Sequence, residues 1–293
     1  MDTNYSDKSM YFRVADFSPL PKRMLAPIEG YENMPLVSIE DAVEPLVSIV
    51  PKVKRNVHIV KQNCKNPADG LTTDESASIM LYTYESIPHE NSLYVILNET
   101  LRSEERQKLI PWFSYLRLVL TAVARLPSDR HFVNRGIRKD LRAEYPEGST
   151  FIWWGFSSCT LSVKVLESEM FFGKTGTRTL FQIDCHTGKN IKNHSFLPKE
   201  DEILLLPGRQ FQVKSCLDSG NELHIIQIKE IEPPYPLLEP VLVPSLIEPA
   251  QKNANVEYKA TDKKIQSTMS RESGTASSKV STIPKTSSGN NSL

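Results

Sequence analysis

The chain has 293 residues, 39% of them apolar and 24% charged, with a formal net charge of +0 at pH 7. That length is ample for a packed core, and the balanced charge leaves no electrostatic footprint for nucleic acid or an anionic membrane surface. No apolar run reaches the roughly 18–20 residues that span a bilayer. The polar start MDTNYSDKSMYFRVADF lacks a signal peptide's apolar centre, so the expectation is a cytoplasmic protein, with secretion the less favoured alternative.

Residues 1–60 are punctuated by proline and carry no long periodic pattern, which predicts a partly ordered N-terminal extension. Within it, MLAPIEGYENMPLVSIEDAVEPLVSIVP holds enough apolar side chains to lie against a core. A globular domain is expected over 61–235. TTDESASIMLYTYES opens with Thr72 and Glu75 at capping-box spacing, and Ile79, Leu81 and Tyr82 suit a short helix. NSLYVILNETLRS reads as a second helix capped by Asn91 or Ser92. Asn98-Glu99-Thr100 and Asn193-His194-Ser195 match the glycosylation sequon, which an intracellular location would leave unused. In PWFSYLRLVLTAVARL, Pro111 suits a helix start, and Trp112, Tyr115, Leu116, Val119 and Val123 follow the helical period.

After Ser128 short β-rich runs take over: STFIWWGF, TRTLFQID, EILLLP, RQFQVKSCL and LHIIQIKEI. Thr187-Gly188, Pro207-Gly208 and Ser219-Gly220 mark turns between them. Helices first and strands after predict an α+β fold rather than alternating βαβ units. The closely spaced prolines around 236–250 predict an extended strap, and the Ser-, Thr- and Lys-rich stretch 251–293 a disordered basic tail. Cys64, Cys159, Cys185 and Cys216 have no Cys-x-x-Cys spacing, so a metal site is not expected; four could make two disulfides in a secreted relative, but without an export signal the thiols read as small buried side chains. Gly173-Lys174-Thr175-Gly176-Thr177 lacks the spacing of a phosphate-binding loop. His186 and His194 flank a loop and form no convincing base–nucleophile set.

Three short motifs follow one another: Asn134-Arg135-Gly136, Phe156-Ser157-Ser158-Cys159-Thr160, and Glu200-Asp201-Glu202 ahead of the apolar Ile203–Leu206. Alone they read as a turn, a loop and a solvated acid cluster. Residues i and i+2 of an extended segment share a face, so Glu200 and Glu202 are expected to point together, with Asp201 pointing away.

In this order the motifs resemble the Arg–Ser–Glu-x-Glu signature of arginine-specific mono-ADP-ribosyltransferases of the ecto-enzyme and clostridial-toxin type. LYTYES, SLYVILNETLR, FVNRGI, GFSSCT, FGKTGTRTLFQI, HSFLPKEDEILLLPGRQFQV and LHIIQIKEIEPP extend the likeness over residues 62–234. Asn134 departs from it, standing where the family usually has Tyr or Trp, and Cys159 stands where Ser or Thr is commoner.

The resemblance implies a helical N-terminal half packed on a β-sandwich-like core of two antiparallel sheets around an NAD cleft. It also implies cleavage of the nicotinamide–ribose bond of NAD, or of NADP, and transfer of ADP-ribose to an arginine of a target protein. The transition state of such N-glycoside cleavage is oxocarbenium-like, so a fixed carboxylate stabilises it. Glu202 matches that carboxylate. Arg135 matches the guanidinium that forks onto phosphate oxygens. Ser158 and Thr160 match the hydroxyls that bond NAD and orient Glu202. Phe171 or Phe172 matches the aromatic that stacks on nicotinamide. Glu200 matches the carboxylate that receives the arginine, and Phe196 the residue that presents it. Two alternatives stay open. One is an NAD glycohydrolase, with water as acceptor. The other is a catalytically silent NAD- or protein-binding module, which Asn134 would favour. No metal, nucleic acid or membrane partner is expected, and the sequence sets no oligomeric state.

Overall fold

The computed structural model describes residues 20–167 and 172–241. The tail 251–293 and most of the proline strap lie outside these residues. Five α-helices and eight strands are formed among them: α1 (Ile39–Val43), α2 (Val53–Asn63), α3 (Thr73–Thr83), α4 (Leu93–Arg102) and α5 (Phe113–Arg125), then β1 (His131–Ile137), β2 (Thr150–Trp153), β3 (Ser157–Thr160), β4 (Arg178–Cys185), β5 (Lys189–Asn190), β6 (Glu202–Leu205), β7 (Arg209–Asp218) and β8 (Leu223–Ile231).

The helical front begins earlier than the capping signals at Thr72. Ser38 caps α1, its Oγ accepting from the Asp41 backbone N–H, and Ile39, Ala42 and Val43 are buried. These side chains share one apolar core with α2, α3, α4 and α5. The capping box forms as expected: the Thr72 N–H donates to Glu75 at 2.7 Å and the Glu75 N–H donates to Thr72 Oγ1 at 3.2 Å. From Glu75 to Thr83 every residue of α3 is buried, so this helix is the hub of the core rather than a surface stripe. It is tied to α5 by the Tyr115 hydroxyl, which donates to the Ser78 carbonyl at 2.9 Å. Arg125 of α5 pairs with Glu75 at 2.9 Å. Pro111 sits inside a 3-10 turn (Arg106–Trp112), so the α-helix proper starts at Phe113.

The strands form one mixed sheet in the order β2-β7-β8-β4-β1-β3-β6-β5. This differs from the two antiparallel sheets expected above. The sheet is continuous, and β4 and β8 run parallel within it. The join between its two parts is narrow. β1 pairs with β4 along its whole length, but with β3 only through Asn134↔Thr160. A second apolar core, with Val133, Phe181, Ile183, Phe211 and Ile226 from one part and Cys159, Ile203 and Leu205 from the other, lies between them. The run STFIWWGF is not one strand. Phe151 and Trp153 pack on the second core while Ile152, Trp154 and Phe156 pack on the helical one, so the side chains alternate between the two cores, and the strand itself ends at Trp153. A Cβ at Gly155 would stand 3.0 Å from Asn98 Oδ1, a tight contact that would press on the Asn98 side chain.

Candidate active site

Arg135 lies on β1, an inner strand of the sheet, where the Arg-Gly pair alone suggested a turn. From Val133 to Ile137 every residue of this strand is buried. The Arg135 side chain is 4% exposed, and its Nη1 donates to the Ser158 carbonyl at 2.6 Å. Its guanidinium also stands 6.0 Å from the Trp153 ring centre. Arg135 thus fastens β1 to β3 at the point where the ladder supplies a single residue pair.

Registers place the other motif residues. Thr160 is opposite Glu202, and Ser158 is opposite Leu204. Paired residues of antiparallel strands share a face, so Ser158, Thr160 and Glu202 line one face of the β3–β6 pair. Cys159 points the other way, into the second core, where burial raises its thiol pKa and keeps it protonated. A thiol in that state is no nucleophile. The Ser158 hydroxyl is buried, and it has no hydrogen-bond partner among the described residues. A buried polar atom of this kind fits a ligand group that would complete it.

The acidic cluster departs from the extended geometry expected of it. Pro198–Glu200 is a 3-10 turn, and Asp201 is left-handed at φ 45 and ψ 50. The strand begins only at Glu202. Glu200 and Glu202 are nonetheless both buried, at 3% and 1% exposure. They are brought inward by a turn and a strand end rather than by strand alternation. Asp201 faces outward and pairs with Lys192 at 2.5 Å. Thr160 Oγ1 donates to the Glu200 carbonyl at 3.1 Å, so this hydroxyl seats the turn.

Phe172 is 6% exposed and packs with Leu166 and Leu180. The Arg178 guanidinium lies 5.7 Å from its ring centre. Gly136, next to Arg135, makes room for that ring: a Cβ there would stand 2.5 Å from Phe172 Cδ2. Phe171 lies outside the described residues. Phe196 is half-buried, with its ring edge-on to Tyr84 at 4.9 Å and its N–H donating to Thr83 Oγ1 at 2.8 Å.

Sequence reasoning missed Asn98, which it met only as a sequon. The side chain is 1% exposed, and it clamps the backbone of Phe156: its Oδ1 accepts from the Phe156 N–H at 2.9 Å and its Nδ2 donates to the Phe156 carbonyl at 3.2 Å. Its position on the inner face of α4 was the signal that pointed inward. Ser157 and Ser158 follow directly, so Asn98 fixes the entry to β3.

The profile of a family described as NAD:arginine ADP-ribosyltransferase matches residues 38–232, more than half of the chain. The chain belongs to this family. It is 30% identical over 141 residues to the rat T-cell ecto-ADP-ribosyltransferase 2, a match spanning 47% of this chain and 50% of that protein. With the rat T-cell ecto-ADP-ribosyltransferase 1 it shares 27% identity over 198 residues, covering 66% of this chain and 67% of the relative. The chain therefore spans between half and two thirds of the length of these curated relatives. Among solved structures it is similar to the eukaryotic mono-ADP-ribosyltransferase ART2.2, with 22% identity, a TM-score of 0.48, and coverage of 73% of this chain and 98% of that one. A further similar structure is the ADP-ribosyltransferase Vis in complex with agmatine, at 20% identity and a TM-score of 0.44, covering 69% and 90% of the two chains.

The cytoplasmic expectation is corrected by these relatives, both of which are ecto-enzymes by name. It rested on the lack of an apolar leader in a short polar stretch, and such a lack carries no positive information about location. Among the described residues no helix is long and apolar enough to cross a membrane. All four cysteines are free thiols, and Cys64, Cys159 and Cys185 are buried.

Proposed function

We propose that the chain transfers ADP-ribose from NAD to an arginine side chain of a target protein and releases nicotinamide. The observation that carries this reading is the placement of Glu202: 1% exposed, at the start of β6, opposite Thr160 and on the face that Ser158 lines. A carboxylate held there meets the positive charge that develops at the ribose C1′ as the bond to nicotinamide breaks. It is fixed by the strand ladder, so little reorganisation opposes it when the charge appears.

Ser158 offers its unbonded hydroxyl to NAD. Arg135 serves the phosphates or adjacent ribose from a position already anchored on the Ser158 carbonyl. Thr160 supports the Glu200 turn, and Phe172 supplies a ring surface for nicotinamide. Glu200 receives the arginine of the target: a carboxylate aligns the guanidinium and takes its proton as the nitrogen attacks C1′. Phe196, five residues before Asp201 on the same loop, contacts the target. NADP is the alternative co-substrate. The unit responsible takes in α1 and α2 as well as the 61–235 expected from the sequence, because their side chains belong to the same core as α3–α5. Water in place of arginine gives NAD hydrolysis at the same centre.

The direct test is release of nicotinamide from NAD by the full chain and by Glu202→Gln. Release by the wild type that falls by about a hundredfold or more in Glu202→Gln supports the reading. Equal release by both proteins refutes it.

A further inference from the structure

The loop that carries Glu200 is gripped by α3 at two places. At the near end of α3, Ser76 Oγ lies 3.0 Å from His194 Nδ1, and the other ring nitrogen, Nε2, lies 3.0 Å from Asp69 Oδ2. At the far end, Thr83 Oγ1 accepts from the Phe196 N–H at 2.8 Å. His194 is completely buried and Ser76 is 2% exposed, whereas the Asp69 side chain is 41% exposed. The chain of groups therefore runs from the core to the surface. Ser, His and Asp in a row suggest a nucleophilic triad, but the order of contacts gives Ser76 no role of that kind. Its hydroxyl is inside the helical core, beside Cys64 Sγ at 3.5 Å.

We propose that His194 is a positioning residue for Glu200, and that the Asp69–His194–Ser76 chain favours transfer to arginine over hydrolysis. This rests on the function proposed above. The reason lies in how differently the two carboxylates are held. Glu202 belongs to β6 and is fixed by its pairing with β3. Glu200 belongs to a 3-10 turn outside the ladder, ended by a left-handed Asp201. The turn is seated by Thr160 on one side, and the segment leading into it is held by His194 and Phe196 on the other. Loosening His194 therefore lets Glu200 shift while Glu202 stays in place. An acceptor arginine needs both carboxylates and water needs only Glu202, so the loss falls on transfer.

The experiment measures two rates on the full chain: nicotinamide release from NAD alone, and ADP-ribose transfer to a small guanidine acceptor. In His194→Ala and in the surface variant Asp69→Gly, which removes the acceptor yet tolerates the left-handed backbone, kcat/KM for the acceptor is expected to fall by about tenfold or more while hydrolysis stays within about twofold. His194→Asn keeps an acceptor near the Nδ1 position and should recover part of the transfer rate. A ring that merely stabilised the fold would lower both rates together and follow the melting temperature. Proportional loss of both rates, or unchanged transfer in Asp69→Gly, overturns the proposal while the function stands. A wild-type chain that neither hydrolyses nor transfers overturns the function itself, and this proposal with it.

Discussion

Replacing Gly136 by alanine probes the contact that joins the arginine motif to the aromatic next to it. The added Cβ would meet Phe172 Cδ2 at 2.5 Å, Cγ at 2.7 Å and Cβ at 3.0 Å, where ordinary contact starts at 3.4 Å. The ring must therefore retreat by about 1 Å, since repulsion at shorter range outweighs any dispersion gain. Gly136 does not occupy the left-handed region, so the cost is steric rather than conformational. Forcing one methyl into a filled site costs about 1–3 kcal/mol. For a domain of this size that is a fall in melting temperature of roughly 2–12 °C. If the Phe172 ring meets nicotinamide, the same shift raises the KM for NAD by about tenfold. Initial rates of nicotinamide release against NAD concentration, with thermal melting of the same samples, separate the two effects. A lowered melting temperature with an unchanged KM would refute the role given to Phe172. No change in either would refute the packing itself.

Asn98→Ala leaves the Phe156 N–H and carbonyl buried without their partners, so a stability loss on the order of 3 kcal/mol is expected in urea unfolding. An unchanged midpoint would show that the clamp is dispensable. Burial, aided by Glu230, pushes the Cys185 thiol from 9.0 up to about 12. The unfolded chain therefore releases this proton first. The stabilisation is complete below pH 9 and is lost as pH rises toward about 12. Melting curves between pH 7 and 11 should show wild type losing more stability than Cys185→Ala over that window, and parallel curves would contradict the shift.

Much of the helical half was legible because its signals are local. The Thr72–Glu75 capping box and the periodic apolar residues from Trp112 to Val123 act within one or two turns. The α+β class followed from their order. What escaped was set by distant contacts. Asn134 and Gly136 are poor strand formers, yet they lie on an inner strand because β3 and β4 flank it and Phe172 covers the glycine. The aromatic run around Trp153 reads as one strand, but β2 stops at Trp153 and Asn98 holds the backbone of Phe156 ahead of β3. Sheet closure through one residue pair has no sequence pattern at all. At the site, the motif order brought Ser158, Glu200 and Glu202 to notice. Strand alternation does not relate the two glutamates, because Glu200 lies in a 3-10 turn and a left-handed Asp201 separates it from the strand that starts at Glu202. The Asp69–His194–Ser76 chain joins residues far apart in sequence, and no spacing rule would have found it.

The most direct measurement follows labelled NAD through three proteins with a small guanidine acceptor present: wild type, Glu200→Gln and Glu202→Gln. Wild type should move the label onto the acceptor and release nicotinamide in step. Glu200→Gln should still release nicotinamide but leave the acceptor largely unlabelled, and Glu202→Gln should do neither. Label on the acceptor at the wild-type rate in Glu202→Gln, or no release of nicotinamide by the wild type, would contradict the placement of the chemistry at the start of β6.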